Sequence, residues 1–226
     1  MALWIALGLT LAGALLLLGY FSYARRASAP LLDLRFFLRI PTFRASVLGG
    51  SLFRIGLGAV PFLLPLALQE GLGMNAFVSG TITCASAFGA MFMKSIGPRV
   101  LRRYGFRNVL MVNALLAGLA IASYGMFTPA MPHLLLLAIV ALGGFFPSLQ
   151  FTCLNSVVYA DIASEDAGRA TSFASVVQQL SLGLGVIVAG MALQLSNHVQ
   201  GHAHIEYSDF WPAFFVAGFV LGGFHY

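Results

Sequence analysis

The chain has 226 residues, 59% of them hydrophobic and 8% charged, with a formal charge of +5 and a mean hydropathy of +0.90. A soluble domain carries about 25% charged residues to wet its surface, so this composition excludes a water-soluble globule and makes lipid the solvent. The basic excess is dispersed between apolar runs, with no basic helix or aromatic-basic alternation, which argues against nucleic acid as a partner.

A helix crosses a bilayer core with about 20 mostly apolar residues, and its backbone polar groups satisfy one another there. Seven runs fit: Ala2–Tyr23, Ala45–Leu68, Ala76–Met93, Val109–Phe127, Leu134–Val158, Thr171–Leu195 and Phe210–Phe224. The expected fold class is therefore all-α and polytopic. The first run has no basic stretch before it, and Arg25-Arg26 follow it, so it does not read as a cleavable signal peptide. The last run is short for a span. Between the first two, Pro30–Phe43 mixes Leu and Phe with Asp33, Arg35 and Arg39, and is expected to lie along the membrane interface.

Arg25, Arg26, Arg35, Arg39 and Arg44 follow the first run; Lys94, Arg99, Arg102, Arg103 and Arg107 follow the third; Arg169 follows the fifth. The alternate gaps, 69–75, 128–133 and 196–209, hold no Lys or Arg. Short basic loops stay in the cytoplasm. Seven crossings with Met1 outside and Tyr226 inside satisfy that rule.

Within the spans, Arg54 is the single charge. It lies ten residues past Arg44, roughly 14 Å into the membrane, where a cation needs a partner or a cavity, or must snorkel to the surface. Gly49, Gly50, Gly56, Gly58, Pro61 and Pro65 share its helix and favour bending and close approach. In the fifth run Ser148, Thr152, Asn155 and Tyr159 share a helix face, with Gln150 off that face and Pro147 above it. In the sixth, Thr171, Ser175 and Gln178 do likewise, beside Gln179. Such faces line either a cavity or an interhelical hydrogen-bond seam. Ser181, Gly185 and Ala189 read as small-residue packing.

No catalytic motif is present, so no enzyme is expected, and no cofactor is implied. Cys84 and Cys153 sit within apolar runs and indicate no disulfide framework. His198, His202 and His204 near Glu206 and Asp209 read as a solvated loop, not a metal site. All seven acidic residues, Asp33, Glu70, Asp161, Glu165, Asp166, Glu206 and Asp209, fall in gaps, leaving no mid-membrane carboxylate for a proton relay. A seven-helix retinal protein would need a lysine in the last helix, and the one lysine is Lys94.

From Pro30 onward the segments PLLDLRFFLRIPTFRAS, SLFRIGLGAVPFLLPLALQEGLG, RVLRRYGFRNVL, SLQFTCLNSVVYADI and SFASVVQQLSLGLGV follow one another in order. Together they resemble the C-terminal part of a major facilitator superfamily transporter of the 14-helix drug/proton antiporter branch. The resemblance implies an extra transmembrane helix over 1–23, a cytoplasmic interfacial segment over 24–44 and a six-helix C-terminal bundle over 45–226. It also implies half of a proton-coupled small-molecule efflux transporter in the bacterial plasma membrane, working by alternating access with a separate N-terminal bundle. A non-transporting fragment or accessory subunit is the alternative. Arg54, Thr152, Asn155 and Gln178 become candidates to line the substrate cavity. Arg102, Arg103, Gly105 and Arg107 become a gating loop. In that loop Arg102 stands where the family's motif has an acid and Pro98 where it has a glycine, which weakens the gating expectation.

Overall fold

A computed structural model describes residues 39–158, 162–201 and 206–223, with ten further positions between Gly8 and Tyr23. Those ten are helical, and all except Tyr20 are exposed. Residues 24–38, the bulk of the proposed interfacial segment, lie outside the described residues, as do Tyr159, Asp161, His202 and His204.

Six helices make the bundle: α1 (Pro41–Leu66), α2 (Ala76–Tyr104), α3 (Phe106–Ala122), α4 (His133–Val158), α5 (Ala167–Gln200) and α6 (Phe210–Gly222). No strand occurs among the described residues, and the chain is an all-α, multi-pass membrane protein. Five of these segments, with their short terminal turns, are long and apolar enough to cross a bilayer; α6 has 13 residues. At about 1.5 Å per residue α6 spans roughly 20 Å.

Several boundaries move relative to the sequence reading, each for a local reason. α1 begins at Pro41, because proline at the first helical position lacks only an N–H that would be unpaired there anyway. It runs through Pro61 and Pro65 and ends in a π turn over Ala67–Gly71. α2 continues eleven residues beyond Met93, since Pro98 and the arginines are compatible with a helix leaving the membrane. The expected gating loop thereby shrinks to Gly105. Its φ of +75° and ψ of 155° end α2 and start α3 at once, a conformation that favours glycine.

Contacts between helices establish their directions. Phe43 meets Phe173 and Gly58 meets Leu182, so α1 and α5 run the same way. Gly89 and Gly144 pack on the backbones of Ala141 and Ser86, and Gly97 meets Leu149, so α2 parallels α4. Gly125 meets Trp211 while Gly118 meets Gly222, so α3 and α6 are antiparallel; Gly71 on Phe210 and Gly56 on Leu221 make α1 and α6 antiparallel too. The starts of α1, α3 and α5 and the ends of α2, α4 and α6 therefore share one end of the bundle. Arg39, Arg44, Arg99, Arg102, Arg103, Arg107 and Arg169 gather there, and Glu70, Glu206 and Asp209 lie at the other.

Large apolar side chains remain on the outside, among them Phe77, Phe88, Met91 and Phe92 on α2 and Leu180, Ile187, Met191 and Leu195 on α5. That is the surface of a body dissolved in lipid. The interior holds Phe53, Leu63, Leu64, Tyr124, Phe127 and Phe214, each fully enclosed.

Candidate functional site

Arg54 is buried to 1% exposure despite its charge. Long helical side chains lean toward the helix N-terminus over the preceding turn, and here that turn offers Gly50. A Cβ on Gly50 would lie 2.7 Å from Nη1, so glycine supplies the space the guanidinium occupies. The side chain thus leans toward the basic end, as snorkelling demands, yet stays sealed within the protein. Its Nη2 donates to Asn155 Oδ1 on α4 at 3.2 Å, and its guanidinium carbon stands 5.7 Å from the centre of the Phe151 ring. A hydrogen bond and an aromatic face replace part of the hydration lost on burial.

Phe151 also lines an open cavity of about 500 Å³ between α1, α2 and α4, with Leu182 of α5 at its edge. Pro61 and Pro147 stand in its walls, and so do Leu57 and Gly143, the residues whose carbonyls each proline leaves without an N–H donor four residues on. Lys94, Ser86, Ser148, Thr152 and Tyr124 are its polar side chains, and the Tyr124 hydroxyl donates to Val140 O at 3.3 Å. The cavity therefore combines apolar walls with a few polar groups, as small-molecule sites do.

The four cavity candidates separate. Thr152 lines the cavity, but its hydroxyl donates back to Ser148 O of its own helix at 2.9 Å. Arg54 and Asn155 form a linked pair behind the Phe151 wall. Gln178 is half-buried on α5 and does not line this cavity. Ser148 donates to Ala90 O of α2 at 3.2 Å, so the expected polar stripe divides between a cavity wall and helix-to-helix bonding. In the sixth run Thr171 and Ser175 are exposed, and Thr171 bonds Ala167 O within α5.

Two residues outside the expected site prove structural. Gln150, off the polar stripe, is buried and accepts from Asn113 Nδ2 at 3.0 Å; the same Nδ2 donates to Phe146 O at 2.9 Å. Asn113 drew no notice in the sequence because one amide in an apolar run has no periodic signature. Ser181, Gly185 and Ala189 do pack tightly, with Gly185 against the backbones of Ile55 and Gly58.

At the opposite end Asp209 is fully buried, accepting from Asn197 Nδ2 at 3.1 Å and from Glu206 N at 2.9 Å. It joins the ends of α5 and α6, where the sequence suggested only a solvated loop. Beside it Tyr207 donates to Tyr124 O at 2.9 Å. Burial pushes its phenol above the ordinary range, so it remains a neutral donor.

Of the expected gating residues, Arg102 and Arg103 form the last turn of α2 and Arg107 the first of α3, all exposed. Arg102 Nε donates to Pro98 O at 3.3 Å, and Arg103 lies over the Tyr104 ring.

Comparison with known proteins bears on this arrangement. The chain is 35% identical over 207 residues to a protein of Salmonella paratyphi A called "Putative multidrug resistance protein MdtD", and equally to proteins of that name from Salmonella newport and Salmonella typhi. The alignment covers 91% of this chain and 43% of each relative, so the chain spans less than half their length. The sequence profile described as Major Facilitator Superfamily matches residues 1–186. With the polytopic all-α bundle and most of its length matched, this chain belongs to the Major Facilitator Superfamily.

Proposed function

We propose that the chain forms the C-terminal half of a small-molecule efflux transporter of the drug/proton antiporter branch, working by alternating access. The observation that carries this reading is the open cavity on α1, α2 and α4, with a buried cation one side chain behind its wall. Transporters of this superfamily bind substrate near mid-membrane between two repeats and move by rocking one repeat against the other. The cavity is the face this half presents to an N-terminal bundle. Thr152, Ser148 and Lys94 contact substrate, while Arg54 and Asn155 hold α1 to α4 beneath Phe151. Gln178 meets substrate where α5 borders the companion bundle.

The basic end faces the cytoplasm of a bacterial plasma membrane, following the preference of short basic loops for that side. Arg103, Gly105 and Arg107 act there as a stiff hairpin in place of a flexible gate. Proton coupling belongs to the companion bundle, because the sequence places no acidic residue of this chain in the middle of a span, Glu70 standing at the last turn of one. Resemblance to relatives named for multidrug resistance supports efflux of apolar small molecules.

Expressed alone in efflux-deficient cells, the chain is expected to give no proton-driven export of a fluorescent dye. Joined behind the N-terminal bundle of an MdtD relative, it is expected to restore export, and Arg54→Ala to abolish it. Drug/proton exchange by the purified chain alone would sink the half-transporter reading. A fusion that folds but exports nothing would favour an accessory role.

A further inference from the structure

α2 and α3 leave Gly105 as a hairpin, and each packs along α4 while meeting the other only sparsely. A groove of about 440 Å³ remains between them, floored by Phe145, Phe146 and Leu149 of α4. Val100, Val112 and Leu116 make its sides, and Tyr104 and Asn108 stand at its basic end. Val112 and Leu116 are exposed, so the groove opens outward toward lipid.

That end carries positive charge from four arginines. Arg99, Arg102, Arg103 and Arg107 are exposed, and among the described residues the one ion pair is Arg169 with Asp166. The Arg103 guanidinium carbon lies 5.7 Å from the centre of the Tyr104 ring, the same ring that lines the groove. Arg107 opens α3 two residues after the Gly105 turn. α3 has no side-chain cap, so the N–H groups of its first turn remain available at that end.

We infer that this groove is a binding site for an anionic phospholipid. One acyl chain lies between α2 and α3, and the phosphate is held by Arg103, Arg107 and the start of α3. An apolar slot alone accepts any lipid chain, and a basic surface alone accepts any anion. Their junction at Tyr104 selects a molecule that carries both parts. Arginines beside the membrane surface attract anionic lipid, and a helix N-terminus adds its own partial positive charge. The site is separate from the cavity between α1, α2 and α4, so it stands whether or not this half transports.

The test uses the full chain in phosphatidylcholine nanodiscs containing trace phosphatidylglycerol with a photoreactive acyl chain. Crosslinks are expected at Val112 and Leu116, in excess of those from a phosphatidylcholine probe with the same chain. Arg103→Gln with Arg107→Gln is expected to lower the phosphatidylglycerol label by about fivefold per arginine removed, leaving the phosphatidylcholine label unchanged. Val112→Trp fills the groove while keeping both charges, and is expected to remove the excess at Leu116. Equal labelling by the two probes, undiminished labelling in the double variant, or displacement by inorganic phosphate would each overturn the assignment.

Discussion

Where α3 meets α6, Gly118 and Gly218 face each other so closely that a Cβ on either would lie 2.6 or 2.5 Å from the other's carbonyl oxygen. Where α1 meets α4, a buried arginine instead reaches a side-chain amide at 3.2 Å, with an aromatic ring beneath it. In lipid no hydrophobic force draws helices together, so a seam is held either by close backbone packing or by polar groups with nowhere else to go. The first kind does not tolerate a change of volume. The second does not tolerate the loss of one partner, but does tolerate loss of both. α1 and α4 also border the cavity, so the polar seam lies beside the proposed binding site.

The sharpest way to break this contrast is to add volume to the glycine seam. Gly218→Leu should cost about 3 kcal/mol, the upper part of the overpacking range, because the obstructing atoms are backbone and the Ala122 Cβ, none of which can rotate away. Thermal unfolding in detergent would read it, and an unchanged midpoint would mean that α6 can slide. Next comes Asn155→Leu, which takes one acceptor from a buried cation and should cost about 2 kcal/mol. Adding Arg54→Met should recover most of that loss, since an apolar pair replaces an ionic one at little cost. If single and double variants unfold together, the cation is not what Asn155 serves.

The Asn113–Gln150 pair sharpens the comparison as a neutral counterpart to Arg54–Asn155. Either residue changed to Leu should cost about 1 kcal/mol, and both together less, as read in a double-mutant cycle. The smallest effect is expected from Tyr207→Phe, about 0.5–1 kcal/mol for one neutral hydrogen bond. Burial raises the Tyr207 pKa, so the neutral phenol is favoured by folding. Its contribution is complete below the ordinary value of 10.0 and is lost as pH rises above it. The stability difference between wild type and variant, measured at neutral pH and again in alkali, should shrink in alkali.

Much of the bundle was legible because hydropathy and charge are summed over many residues. Runs of apolar length located the helices, and the arginine pattern anticipated which helix ends share one side. Individual partners were harder to see. Arg54 stood out as a lone charge in an apolar run, and Asn155 fell on a readable polar face. Gly50, one turn before Arg54, was legible as well, although only as a flexible position and not as room for a guanidinium. Gln150 was read as lying off the polar stripe of α4, but its bond could not be anticipated, because its partner Asn113 lies on α3. Asp209 looked solvated for a related reason, since the chain around it is polar and its burial comes from the meeting of α5 and α6.

By itself the sequence determined that this protein lives in lipid, that it is helical throughout the described bundle, and that its described arginines apart from Arg54 mark one end. Those outcomes follow from the cost of exposing backbone polar groups and charge to hydrocarbon, which any segment of the chain incurs alone. Only the tertiary structure decided which polar groups face a cavity and which are consumed in seams. That choice depends on what a neighbouring helix, distant in sequence, brings within about 3 Å of each one.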